Sequence, residues 1–401
     1  MRHEPALVVH CEASAAQPSS SKLFDSEPGV GGPAILDVQS LDDLAPLRAG
    51  SVGDERDPRS LLDFEARAGY EDRGNFVEGA WYSLPLRTLD ISLVENPPST
   101  GGSALFRGTL VANKPVTSRK FRIPARVYQT PQTFRRRYRL PNIGDPLELH
   151  VVDCGQGNWN EVTSATMRLV YDMGADARWS TERRDAFLRE RGLAQEAREI
   201  HVMISHWDVD HYHALLSANS ADLARVKSFV APEPVPDTVT CRRALEWLRS
   251  HGVSVHLLRP SPPISGIGRR IILRQTLSCG ATTLLRATRG ASRNRSGIAL
   301  HIAGQGRRAL LTGDHAHEQV LDAIHRENLP ATECVYVTPH HGGNAGRFDP
   351  QAWWRILCAA ALSYGVGNPY GHPLRRVSQA LRRLWIPVHE TGRDGGGTWT
   401  L

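Results

Sequence analysis

The sequence predicts an α/β fold whose strands end in loops of imidazoles and carboxylates. Three observations predict it. Residues 204–211 place His206, Asp208, Asp210 and His211 within six positions, directly after the largely apolar run 200–204. Two more short apolar runs, 309–311 and 335–337, also end in donors: Asp314 after the first, His340 and His341 after the second. Stretches 181–198, 240–251 and 318–328 read as helices, the second with Leu245, Trp247 and Leu248 on its apolar side. A strand that ends in a loop of imidazoles and carboxylates can aim several donors at one point, which divalent cations require and solvated surface does not.

The elements follow in order. Residues 1–57 are rich in Ser, Pro, Gly and Ala without a sustained period, so a flexible segment is expected, with short ordered pieces around 35–47. Residues 58–145 read as a small β-rich region of unknown role, with strands in 81–94, 104–111 and 121–128 and a Pro/Gly loop at 96–102. The third segment, 146–401, opens on the alternating strand 147–152, which runs into Asp153-Cys154-Gly155-Gln156-Gly157. A second strand, 168–171, ends at Asp172, a simple turn residue on this reading. Residues 259–268 form a Pro/Gly loop, and Tyr370-Gly371-His372-Pro373 a turn. A helix at 379–384, a strand at 385–390, a glycine-rich hairpin at 392–397 and a last strand at 398–401 complete the chain.

The motifs from Asp153 onward resemble one family. Asp153 to Asn158, Ser205 to His211, Asn294-Arg295-Ser296, Leu310 to Asp314, His340 to Gly343 and Asn368 to Pro373 stand in the order of the soluble metallo-β-lactamase-fold domain of the ComEC/Rec2 type. The resemblance covers 147–401 and implies a four-layer αββα sandwich with a dinuclear site at one edge of two sheets. Carried over residue by residue, it gives His206 and Asp208 to one metal, Asp210 and His211 to the other, Asp314 as the bridge and His340 as the remaining ligand. It places Asp153 behind the ligands, where outer hydrogen bonds tune affinity. Asn368 and His341 fall near substrate. The departures are Asn158 for an Asp, Gly343 for a Ser, and Tyr212-His213-Ala214 for a small turn; Asp208 stands where the general metallo-β-lactamase signature, His-x-His-x-Asp-His, has its second His.

The chemistry follows from the donors. A His/Asp set without thiolate suits zinc, manganese or iron, and Asp208 in place of a neutral imidazole tilts it toward Mn²⁺. Two divalent ions, Zn or Mn, would polarise a phosphoryl or carbonyl oxygen and lower the pKa of a bridging water, which as hydroxide would attack. His340 is preferred to His341 as ligand because consecutive strand-like side chains face opposite ways. His372 and Asp210 are the expected catalytic side chains, His372 protonating a leaving oxygen or touching a phosphate. His213 reads as a capping or surface residue, and His315 and His317 as solvated first-turn residues of a helix. The expected activity is that of a phosphodiesterase or nuclease acting on nucleic acid or a nucleotide. The alternatives are hydrolysis of a carboxylic ester, lactone or amide, and a binding or regulatory protein without turnover.

Composition sets outer bounds. Hydrophobic residues make up 40% and charged residues 22%, the balance of an ordinary water-exposed protein. No apolar run reaches the roughly 18–20 residues of a membrane span, and the first residues lack a secretory pattern. The six cysteines are scattered without metal or redox spacing, which points to reduced thiols and the cytoplasm. The net charge of +6 invites a nucleic-acid partner, yet only Lys22, Lys114, Lys120 and Lys227 are lysines, a bias better ascribed to genome composition. The one basic–aromatic cluster is Arg135-Arg136-Arg137-Tyr138-Arg139. A protein partner is unknown; the region before 146 is the place to expect one.

Overall fold

The computed structural model describes residues 6–14, 30–40, 61–67, 81–85, 89–90, 105–109, 128–130, 132–134, 138 and 146–401, the last without 178, 265–269, 291 and 369. Arg135 to Arg137 and Arg139 of the basic cluster therefore lie outside the described residues. The chain divides into two compact units: Met1–Phe121 with Arg178–Glu182 and Pro236–Ala244, and Arg122–Ala177 with Arg183–Val235 and Leu245–Leu401.

The first unit holds a six-stranded sheet of β1 (Ala6–Ser14), β2 (Val30–Val38), β3 (Leu61–Arg67), β4 (Trp81–Pro85), β5 (Leu89–Asp90) and β6 (Leu105–Thr109), in the order β4-β1-β2-β3-β6-β5. Two of these strands lie in the segment expected to be flexible, which corrects that expectation. The physical reason is local. Leu7, Val9 and Cys11 alternate and are buried, as are Leu36 and Val38 on the neighbouring strand. A period of two over five residues suffices when a partner strand completes the ladder.

The second unit carries two sheets. One contains β7 (Tyr128–Gln129), β8 (Glu148–Val151), β9 (Trp159–Thr163), β10 (Met167–Met173), β11 (Glu199–Met203), β12 (Val226–Pro232) and β13 (Ser254–Leu258). The other runs in chain order: β14 (Leu273–Cys279), β15 (Thr282–Ala287), β16 (Ile298–Ala303), β17 (Arg308–Leu311), β18 (Cys334–Val337), β19 (Leu357–Leu362) and β20 (Val388–Glu390). The final strand, β21 (Gly397–Thr400), returns to the edge of the first of these sheets, beside β8. Each sheet is half antiparallel and half parallel. β10 to β13 run parallel in one, and β17 to β20 in the other.

Burial shows the layers. Leu149, Val151, Leu169, Tyr171, Met203 and Val230 from one sheet pack with Leu284, Leu300, Ile302, Leu311, Val335 and Val337 from the other. The opposite face of the second sheet packs on helices His317–Arg326 and Arg375–Arg382 through Leu285, Leu310, Tyr336, Val320, Ile324, Val377 and Leu381. On the outside of the first sheet, Phe187 of the helix Thr181–Arg191 meets Trp159 edge-on at 5.2 Å. This is the expected αββα sandwich.

Some boundaries differ. The helix expected over 181–198 stops at Arg191, where Gly192 takes the left-handed φ of 63° that ends helices without a Cβ clash. The glycine-rich segment 392–397 is not a hairpin: Thr391–Asp394 makes a helical turn that feeds β21. Among the described residues no helix is long and apolar enough to cross a membrane.

Candidate metal centre

Parallel strands end on one side of their sheet, so the loops after β10, β11, β17, β18 and β19 share an edge. β10 ends at Asp172-Met173, β11 feeds Ser205 to His211, β17 feeds Asp314, β18 feeds His340 and His341, and β19 feeds Ser363 to His372. The two sheets are tied beside this edge: Tyr171 donates across the core to the Ile298 carbonyl at 2.7 Å, and Ile298 N–H donates to the Ser205 carbonyl at 2.8 Å.

Two groups of donors result. His206, His211 and Asp314 are all buried and offer ligand atoms within 4.8 Å of one another; Asp210, His211 and His341 do the same. Asp314 Oδ1 lies 3.3 Å from His211 Nε2, and its Oδ2 lies 3.7 Å from His206 Nε2. Asp208 Oδ2 is 3.0 Å from His206 Nε2, and Asp210 Oδ2 is 3.1 Å from His341 Nε2. Asp314 thus stands between the two groups, where a bridging carboxylate is expected. Three of the converging atoms, His206 Nε2, His211 Nε2 and Asp314 Oδ1, are buried without a hydrogen-bond partner. Buried polar atoms are paired in more than about nine cases in ten, so three orphans aimed at one point fit a cation.

The field has the same sign. Burial disfavours a charged His211, yet Asp172, Asp314 and Asp210 outweigh it and hold the imidazole well above its usual range. Burial likewise works against the Asp314 carboxylate, but His211, His340 and His206 hold it well below the usual value. Carboxylates outnumber the fixed cations around His211, which draws positive charge to that point.

The tautomers are set from behind. His211 Nδ1 lies 2.9 Å from Asp172 Oδ2, and a carboxylate accepts, so Nδ1 donates and Nε2 is the nitrogen available to a cation that displaces its proton. His341 Nδ1 donates to the Ser363 carbonyl at 2.8 Å, which turns its Nε2 toward Asp210 Oδ2, 3.1 Å away. His206 Nδ1 meets Ser205 Oγ at 2.9 Å. Asp172 is the hub: its carboxylate also accepts from Ser205 N–H at 2.6 Å, Ser205 Oγ at 3.0 Å and Asn158 Nδ2 at 2.7 Å.

Several expectations change here. Asp172 is no simple turn residue. The hydrogen bonds behind the donor loop that were expected of Asp153 are made by Asp172; Asp153 is exposed and, among the described residues, accepts only a local bond from Gly155 N–H at 3.2 Å. The choice between His340 and His341 also reverses. His341 joins the convergent group, whereas His340 Nε2 stands 4.0 Å from Asp314 Oδ2 at a partly exposed rim. The alternating-face argument does not apply, because both residues have left-handed backbone, with φ of 54° and 55°, and are not strand-like. His213, His315 and His317 are all buried, and Gln319 and Tyr336 bond the last two.

His372 is reached from the Asp153 loop. Gly365 N–H can only donate, and it meets Gln156 Oε1 at 3.2 Å, so Gln156 turns its amide NH₂ toward His372 Nδ1, 3.3 Å away. Nδ1 therefore accepts and Nε2 carries the proton. Burial, followed by His340 and His341, pushes this ring down to about 3. Asn368 closes the turn, accepting from His372 N–H at 3.0 Å and donating to the His372 carbonyl at 2.6 Å. It positions His372.

Two further residues meet the site, Asn294 of the Asn294-Arg295-Ser296 motif and Arg293, which had no signal in the sequence. Arg293 Nε contacts Asp208 Oδ1 in a buried ion pair. Asn294 Nδ2 donates to Asp314 Oδ2 at 3.4 Å. Burial raises the Asp208 carboxyl, but Arg293 and then His206 pull it down to about 2.

No protein-family model matches the chain, and no curated protein matches it. Among solved structures, it is similar to the metallo-β-lactamase fold protein YhfI from Bacillus subtilis, with 13% identity over 64% of this chain and 99% of that one, at a TM-score of 0.37. It is also similar to CmlA, a diiron β-hydroxylase from Streptomyces venezuelae, with 13% identity over 64% of this chain and 55% of CmlA, again at 0.37. The similarity therefore spans about half the length of CmlA. A TM-score of 0.37 assigns neither family nor activity, and the metal reading stands on the side chains alone.

Proposed function

We propose that this chain is a metal-dependent hydrolase that cleaves phosphodiesters, with a nucleic acid or nucleotide as substrate and zinc or manganese as cofactor. The observation that carries the metal part is the convergence of the orphaned His206 Nε2, His211 Nε2 and Asp314 Oδ1. The phosphodiester part is supported by the ComEC/Rec2-type motif order and by the donors that face the site.

His206, Asp208 and Asp314 would hold one cation, and Asp210, His211, His341 and Asp314 the other. When bound, such a pair supplies Lewis-acid polarisation of a phosphoryl oxygen and acidifies water to a pKa near about 7. The remaining work falls to the chain. Asp172 and the Ser363 carbonyl hold His211 and His341 in the tautomer that can ligate. His372, neutral at physiological pH, presents an Nε2–H that donates a hydrogen bond to an anionic oxygen, the phosphate-contacting one of the two roles expected of it. His340, beside His372 with ring centroids 5.2 Å apart, offers a second donor at the rim.

The test pairs elemental analysis with a substrate panel. Two equivalents of Mn²⁺ or Zn²⁺ per chain, with turnover of bis-p-nitrophenyl phosphate, single-stranded DNA or RNA, are expected. Activity confined to a lactone or a cephalosporin would replace the nuclease reading with acyl hydrolysis. Fewer than one metal per chain after loading would remove the hydrolase reading altogether.

A further inference from the structure

One feature of the centre is asymmetric. Asp208, the carboxylate that stands where the general metallo-β-lactamase signature has a neutral imidazole, does not bring a free negative charge. Its Oδ1 is taken by Arg293 Nε, while its Oδ2 faces His206 Nε2 at 3.0 Å. Both partners are nearly buried, with side-chain exposures of 6% for Asp208 and 13% for Arg293. Close charge pairs away from bulk water are weakly screened, so the guanidinium offsets the carboxylate almost in full. The pair carries the net charge of the imidazole it replaces.

The other half of the centre has no such counter-ion. Asp210 faces the imidazoles of His341 at 3.1 Å and His211 at 3.8 Å, and no arginine or lysine pairs with it among the described residues. The loop that brings Arg293 also brings Asn294, whose Nδ2 donates to Asp314 Oδ2, the oxygen on the His206 side. One side of the centre is thus braced and neutralised by the 293–294 loop. The opposite side has no fixed cation among the described residues.

We propose that Arg293 is a positioning residue that pins Asp208 through Oδ1, leaves Oδ2 as its single donor atom, and makes the His206/Asp208 half the weaker of two unequal cation sites. The inference rests on the metal-dependent reading above. The chain fills the Asp210/His211/His341 half first and the His206/Asp208 half second. It also removes the manganese preference that an unpaired Asp208 suggests, because the added charge is cancelled.

The experiment is a calorimetric titration of the full-length, metal-stripped protein with Mn²⁺ alone. Two binding steps are expected, with dissociation constants separated by at least about tenfold, the scale on which outer-shell partners act. Asp210→Ala should abolish the tight step and keep the weak one; His206→Ala should do the reverse. Arg293→Met should tighten the weak step by about tenfold and leave the tight one in place, whereas Arg293→Lys should stay close to the parent. Two steps of equal affinity in the parent, or an Arg293→Met protein whose weak step is unchanged or lost, would overturn the proposal while leaving the dinuclear hydrolase reading intact. Absence of any Mn²⁺ binding would overturn both. Thermal melts of each variant establish that the titrated protein is folded.

Discussion

Asp172 gathers four donors from three residues onto one buried carboxylate: Ser205 N–H, Ser205 Oγ, Asn158 Nδ2 and His211 Nδ1. Its removal would leave those groups unpaired in a dry interior and free the His211 ring to change tautomer. Asp172→Ala is therefore expected to weaken metal binding by about 10–100-fold, measured by titration, with a stability loss of roughly 2–4 kcal/mol in urea. Retention of parental metal affinity would show that the ring is held by packing alone. Gly343 gives a complementary prediction. A Cβ built there would lie 2.5 Å from His372 Nε2 and 2.7 Å from the His340 carbonyl. Gly343→Ala should displace the His372 ring and lower kcat/KM by roughly tenfold or more at unchanged metal content. Unchanged kinetics would take His372 out of the reaction.

At the scale of elements, the centre depends on loops that leave different strands at fixed heights. Arg286, fully buried in β15, is one brace. Its guanidinium donates to the carbonyls of Leu258 at 3.1 Å, Gly297 at 2.9 Å, Glu233 at 2.6 Å and Ser296. These lie at the end of β13, in the loop after β12 and just before β16, so one side chain ties both sheets near the 293–297 loop. Burial opposes its charge, pushing it down to about 9, and the carbonyls stand in for water. Arg286→Leu leaves these four carbonyls, and that of Ala287 at 3.4 Å, without this donor. A loss of more than about 3 kcal/mol is expected by urea unfolding, and a near-neutral result would mean that water replaces it. Gly313 shows the tolerance in this region. Its φ is +51°, and a Cβ would strike Ser205 at 2.4 Å, so the Thr312-Gly313-Asp314 tip can approach the Ser205 loop only without a side chain.

Across the whole molecule, buried imidazoles give a signature in acid. Burial first, with neighbouring charges adding to it, pushes His213 and His315 down to about 3, and burial alone does so for His317. In the unfolded chain each ring titrates near about 6.5. Between those values the unfolded state binds more protons, so stability is full above about pH 6.5 and falls below it, by about 1.4 kcal/mol per pH unit for each ring. Urea midpoints measured from pH 7.5 to 5 should fall accordingly. His317→Phe, at a ring that packs on Phe348 and bonds Tyr336, should reduce the slope by about one proton. A flat profile would show that these rings are hydrated.

The strand tips of the second unit were legible in the sequence, because each is a short apolar run ending in donors. His206, Asp208, Asp210, His211 and Asp314 are brought together as the spacing required, with Asp314 within 4 Å of both His206 and His211. Strand period and donor spacing are local properties, and a chain carries them before it folds. What sits behind and between the ligands is not local. Asp172 is 33 residues from Ser205 and 39 from His211. Arg293 comes from the other sheet's loop between β15 and β16, and the left-handed backbone at His340 and His341 belongs to the turn after β18. The sequence by itself determined which side chains could hold a cation. Only the tertiary structure decided which imidazole faces it, which carboxylate is neutralised and which loop braces it, since those depend on sheet packing that no spacing in the chain encodes.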